Sequence, residues 1–188
     1  VRVSSLWTGT KVWLRGVEPE DWQTFRSFDE HSDDMRAGDR VHPPLSSEGY
    51  RRVTVERSVR TTPENMHLSI VSVADGQVVG GLNTHSVDRR SGRFQYGIGV
   101  GRAHRRHGYA AEAIGILLTY MFGEERFHKC EVKVYGFNES SIALHRALGF
   151  REEGVLRDHE FFGGRHHDVV LFGLTLSDYL DRWEFPEV

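Results

Sequence analysis

Residues 93–113, RFQYGIGVGRAHRRHGYAAEA, bring together the side chains best suited to holding an anion. The pattern reads as a strand that passes through a basic, Gly-containing turn straight into a helix. The first turn of such a helix offers unpaired backbone N–H groups and the positive end of the macrodipole, and both attract phosphate. Gly108 lets the backbone come close to a ligand, Ala110 keeps the next helical position small, and Arg105 and Arg106 add charge. A pyrophosphate suits these features. Two other chemistries fit less well. Gly97, Gly99 and Gly101 hint at a dinucleotide fingerprint, but its third glycine falls on Arg102. His104 and His107 are metal-ligand types, yet the neighbouring cations Arg102, Arg105 and Arg106 oppose a divalent ion, and no metal is expected.

The elements that must position this turn follow from periodicity and turn residues. Residues 11–15 predict a strand, and Pro19 opens a helix with Trp22, Phe25 and Phe28 at helical spacing. A second helix is predicted from about residue 47 to residue 60. Between the two lies an acidic cluster, Asp29, Glu30, Asp33, Asp34 and Asp39, which reads as a solvated loop. Alternating segments 66–74 and 77–85 flank Asp75-Gly76 as a hairpin, and residues 93–100 add a further strand. Residues 108–122 form the helix after the basic turn, with Ile114, Leu117, Leu118 and Met121 on its buried face. A strand at 129–135 follows. Asn138 then caps a helix that runs through Ala147 and ends at Gly149. Strands 151–161 and 165–175 flank Gly163-Gly164 as a last hairpin. Antiparallel hairpins with one strand-helix-strand crossover make this an α+β fold, a mixed, mostly antiparallel central sheet flanked by helices.

Composition narrows the class. Hydrophobic residues make up 38% and charged residues 27% of 188 residues, ordinary values for a globular chain. No low-complexity stretch or linker divides it, so residues 1–188 read as one domain. A net charge of −3 argues against a nucleic-acid partner. No segment has the length of a membrane span, and the amino-terminal stretch VRVSSLWTGTKVWLRG lacks the apolar run of a secretory signal, which points to a cytoplasmic protein. Cys130, the single cysteine, lies in the alternating run KCEVKVY and reads as a small buried hydrophobe.

Arg105, Gly108 and Ala110 match the signature of the GNAT superfamily, which is Arg or Gln, two residues, Gly, one residue, then Gly or Ala. Residues 138–150, NESSIALHRALGF, and 154–174, GVLRDHEFFGGRHHDVVLFGL, resemble the ribosomal-protein and spermidine acetyltransferase branch of that superfamily. The resemblance implies an N-acetyltransferase that uses acetyl-CoA as cosubstrate and an amine as acceptor, in a chain that would pair as a homodimer. It places Ile98, Gly99 and Val100 along the pantetheine and acetyl group. Arg105, Arg106, His107, Gly108, Tyr109 and Ala110 would line the pyrophosphate, and Asn138 and Ser141 the pantetheine arm.

By the same resemblance the Val100 N–H is the donor to the tetrahedral oxyanion. The family's thiolate-protonating Tyr is replaced here by His145, which is expected to act as the acid, as imidazolium or through its neutral N–H. The branch carries a Glu immediately before Phe-Gln in the fourth strand, where this chain has Arg93. His85, Asp88 or a water chain is left to take the amine proton. The acidic cluster Asp29–Asp39 falls where this fold walls the acceptor site, a position from which it would attract a cationic acceptor. Transfer of another acyl group such as succinyl, and an acyl-CoA-binding module without chemistry, are the competing readings.

Overall fold

All seven predicted strands join one mixed sheet in the order β1-β2-β3-β4-β5-β7-β6 in the computed structural model, which describes residues 5–62 and 64–185. The first four residues of the amino-terminal stretch lie outside the described residues. The strands are β1 (Val12–Gly16), β2 (His67–Ser72), β3 (Val78–Asp88), β4 (Arg93–Val100), β5 (Lys129–Tyr135), β6 (Arg151–Phe162) and β7 (Arg165–Thr175). The helices are α1 (Trp22–Phe28), α2 (Ser32–Gly38), α3 (Ser47–Val59), α4 (Tyr109–Gly123), α5 (Glu139–Ala147) and α6 (Leu176–Leu180). Pairing is antiparallel except between β4 and β5, which α4 connects as a crossover. Among the described residues no helix is long and apolar enough to cross a membrane.

Two helices depart from the reading above. The acidic segment is not a loop, because residues 32–38 form α2, with Asp33 and Asp34 in its first turn where the helix dipole favours carboxylates. α6 follows β7 directly and starts with a reciprocal cap between Thr175 and Asp178.

The core lies between α4 and one face of the sheet. Ile114, Leu117, Leu118 and Met121 are fully buried, and they share one apolar cluster with Leu14, Phe94, Tyr96 and Val132. Each such side chain contributes about 1.5–3 kcal/mol through burial. Cys130 is also fully buried there, and desolvation pushes its thiol well above the ordinary value, which suits a packing role.

Two carboxylates pin the chain before β2. Asp21 accepts both guanidinium nitrogens of Arg15 at 2.8 Å, the Ser69 hydroxyl at 2.7 Å and the Glu18 N–H at 3.0 Å. Glu112, in the first turn of α4, accepts the N–H groups of Thr10, Lys11 and Val12 and the Thr10 hydroxyl, all within 2.9 Å. That clamp sets the start of β1 against the start of α4. Burial alone would raise the Glu112 pKa, but the four donors outweigh it and hold the carboxyl below its ordinary value. A depressed carboxyl stabilises the fold above its unfolded pKa and loses that contribution as pH falls through the folded value. Glu112→Gln should therefore lower stability at neutral pH, and the gap to the native protein should narrow in acid. Urea titrations at pH 7 and pH 4, on either side of the ordinary carboxyl value, check this. Equal gaps at both would show that the charge does not hold the clamp.

Candidate functional site

β4 and β5 are paired only from Arg93↔Lys129 to Gln95↔Glu131, and beyond that they diverge. The bond from the Gly101 N–H to the Val79 carbonyl, 2.9 Å, fixes which residues of β4 turn their backbone toward β3. Because that direction alternates along a strand, Gly97 and Gly99 face β3, whereas Tyr96, Ile98 and Val100 aim N–H and C=O into the gap. On the far side, the Gly136 N–H bonds the Asp168 carbonyl at 2.8 Å, which by the same alternation aims the backbones of Lys133 and Tyr135 into the gap. The result is a wedge with an unpaired strand edge on each side, able to accept an extended chain as an inserted strand. Ile98 and Val100 offer hydrogen-bonding groups there. Gly99 does not, since its backbone faces Gly81 on β3; its contribution is space, as a Cβ built on it meets nothing within 4 Å.

The basic turn leads from this edge to α4. The first intrahelical bond of α4 runs from the Glu112 N–H to the Gly108 carbonyl, which leaves the amides of Tyr109, Ala110 and Ala111 at the open helix end. Gly108 caps the helix at φ +82°, a conformation that L side chains rarely adopt, and Arg106 also has positive φ. His107 stacks on Tyr109 with ring centroids 5.3 Å apart, and its Nδ1 donates to the His104 carbonyl.

The arginines divide by partner. Asp34 takes the Arg102 Nε at 2.9 Å and an Arg105 amine at 2.7 Å, while the Arg105 Nε donates to the Val100 carbonyl. Burial would raise the Asp34 carboxyl, but these guanidinium bonds keep it below the usual range. Arg105, expected to serve a pyrophosphate, thus ties the turn to α2 and to β4. Arg106 has no hydrogen-bond or ion-pair partner among the described residues.

α2 also reaches the other side of the wedge. The Asn138 amide donates to the Ala37 carbonyl at 3.1 Å, and its oxygen accepts the Ser141 N–H and the Ser140 hydroxyl. Asn138 is therefore the cap of α5 and a tether of α2, and the Ser141 amide is spent on that cap. The acidic cluster lost to loop prediction is in part the strap across the cleft, with Asp34 and Ala37 one turn apart on α2.

His145 requires a correction. It was expected to face the leaving thiolate, but it is 1% exposed and packs between Tyr96 and Phe172. Its Nδ1 lies 2.7 Å from the Ser141 carbonyl, so that nitrogen carries the proton, and its Nε2 accepts from the Tyr96 hydroxyl at 2.8 Å. Burial holds its pKa below the ordinary imidazole value, and the bond to Ser141 opposes this only in part. A neutral, fully bonded ring inside the core has no proton to hand to the cleft. His145→Phe should cost about 1–3 kcal/mol of stability, because the Tyr96 hydroxyl and Ser141 carbonyl lose a buried partner. Turnover of the folded variant should stay near wild type. A hundredfold loss of turnover without loss of stability, read from steady-state rates and thermal melts, would restore the acid role.

On the opposite face of the sheet, His85 on β3 stands across from Gln95, which pairs in turn with Glu131 on β5. The floor beside them carries glycines at 81, 97 and 99, of which Phe25 of α1 covers Gly81, the Asn83 carboxamide covers Gly97, and Gly99 stays open. Asp88 is occupied, accepting from the Ser91 N–H and from Arg93. Arg93 also approaches Glu131, at 3.7 Å. The His85 ring is exposed, with Nδ1 3.1 Å from the Ser86 hydroxyl; partial desolvation lowers its pKa, the backbone of Tyr96 partly offsets this, and Lys133 lowers it further.

The chain has known relatives. Residues 11–151 match the family model described as an acetyltransferase (GNAT) domain. The chain is 34% identical over 174 residues to the SPbeta prophage-derived uncharacterized N-acetyltransferase YokL of Bacillus subtilis, covering 92% of this chain and 94% of that one. It is 35% identical over 95 residues, half of its length and 54% of the relative's, to a spermidine N(1)-acetyltransferase of Vibrio cholerae. The fold superposes on a Vibrio cholerae spermidine N-acetyltransferase in complex with CoA and spermine with a TM-score of 0.80, over 92% of this chain and 99% of that one at 20% identity.

Proposed function

Because this chain belongs to the GNAT acetyltransferase family and is an N-acetyltransferase, we propose that it works through a ternary complex in which acetyl-CoA fills the wedge and an amine attacks from the His85 face. The observation that carries this reading is the divergence of β4 and β5 immediately above a basic turn and an open helix end. The pantetheine arm runs along Ile98 and Val100 as an added strand. The amides of Tyr109 and Ala110, with Arg106, take the pyrophosphate. Val100, whose N–H points into the wedge, receives the oxyanion.

The chemistry then needs two proton transfers. The neutral amine nitrogen attacks the thioester carbon, forming the C–N bond and a tetrahedral oxyanion. That nitrogen, now far more acidic, gives its proton to His85. The C–S bond breaks, and water protonates the departing thiolate. His85 suits this step because partial desolvation of its otherwise exposed ring lowers its pKa below the ordinary imidazole value, whereas Asp88 is tied to Arg93 and Ser91. We read residues 1–188 as one catalytic domain, cytoplasmic and homodimeric; light scattering tests the last point. Polyamines, peptide amino termini and small amines are the acceptor classes to test. Arg93, where the polyamine branch has Glu, argues for including all three.

Gly108→Val should weaken acetyl-CoA binding by 10-fold or more, on the order of 1.4 kcal/mol. The cause is conformational. A β-branched residue resists φ +82°, and its Cβ would sit 2.7 Å from the Lys11 Nζ, so the turn must reshape. Calorimetry on a variant with native circular dichroism is the check, and unchanged affinity would remove the turn from the cofactor site.

A further inference from the structure

The geometry points to Lys11 as a phosphate ligand of acetyl-CoA, an assignment that rests on reading the turn at 105–110 as the pyrophosphate site. β1 starts at the same end of the sheet where β4 stops, and the Glu112 clamp fixes the Lys11 backbone at 2.7 Å against the first turn of α4. From there the side chain crosses to the turn. Its Nζ donates to the His107 carbonyl at 3.2 Å and lies 2.7 Å from where a Gly108 Cβ would be. The ammonium therefore stands beside the residue that caps α4, next to the open helix-end amides.

Its charge is available. An ammonium has three donors, and the single contact to the His107 carbonyl is the only side-chain partner Lys11 has among the described residues. Arg102 and Arg105, by contrast, converge on Asp34. A phosphate drawn to the helix end would thus meet Lys11 and Arg106 as the cations not held by a carboxylate. A carbonyl contact made by an exposed ammonium adds little to stability, so a purely structural role leaves the position of this charge unexplained.

The test compares Lys11→Met, Lys11→Arg and wild type for binding of acetyl-CoA and of S-acetyl-pantetheine, which has no pyrophosphate, at two salt concentrations. The methionine variant should bind acetyl-CoA about 10-fold more weakly, with a shallower salt dependence. The arginine variant should stay within a few-fold of wild type, and all three should bind S-acetyl-pantetheine alike. Unchanged acetyl-CoA affinity in Lys11→Met would overturn the assignment, as would an equal loss for both ligands. If wild type itself shows no preference for acetyl-CoA over S-acetyl-pantetheine, the turn is not a phosphate site and the assignment falls with it.

Discussion

Replacing His85 by asparagine should lower kcat by about a hundredfold while leaving the KM for acetyl-CoA nearly unchanged, as expected when a general base is removed but cofactor contacts are kept. The argument is positional. His85 lies on the face from which the amine is proposed to attack, across from Gln95 and on the side of the sheet left open at Gly99. It also has a pH signature. With its pKa held below the ordinary value of 6.5, the ring is a free base at neutral pH and becomes charged only on the acid side, so kcat should fall there. The asparagine variant should lack that acid limb. A variant that keeps both the rate and the limb would move the proton to water.

Asp21→Asn should produce the largest loss of stability, about 3 kcal/mol, or roughly 6–12 °C in Tm for a chain of this size. Asp21 is 6% exposed and Arg15 is partly buried, so the amide would leave a guanidinium without its counter-charge and turn an N–H₂ toward donors. Burial pushes the Asp21 pKa up, but the Arg15, Glu18 and Ser69 bonds outweigh this and the net shift is downward. Its contribution is thus complete above the unfolded carboxyl value of 3.8 and is lost as pH falls through the lower folded value. Thermal melts at pH 7 measure the loss. A change below 1 kcal/mol would mean that Arg15 finds another partner or water.

Strand alternation made most of the sheet legible. β4, β5 and β7 have the bounds that their apolar periodicity indicates, and Gly149, Gly163 and Gly164 take positive φ at the turns they mark. α2 escaped because seven residues with three acidic or basic side chains and no apolar stripe have no helical signature; what holds that segment is ion pairing to Arg102 and Arg105. The Thr175-x-x-Asp178 cap was a readable signal for α6. His145 was also readable, since Ile142, His145 and Leu148 repeat at helical spacing on one face and so place the ring toward the core. Which arginine at the turn is already paired, and that Lys11 stands beside it, depends on strands and helices distant in sequence. No local pattern encodes that.

Acetyl transfer itself is tested most directly by incubating the protein with acetyl-CoA and a panel of polyamines, peptides with free amino termini and small amines, following free thiol and the mass of each acceptor together. The account predicts thiol release that depends on one class of amine, matched by acceptor molecules that each gain one acetyl group, with no acetylated protein intermediate. Tight binding of acetyl-CoA without thiol release for any amine would contradict it and leave the chain an acyl-CoA-binding module.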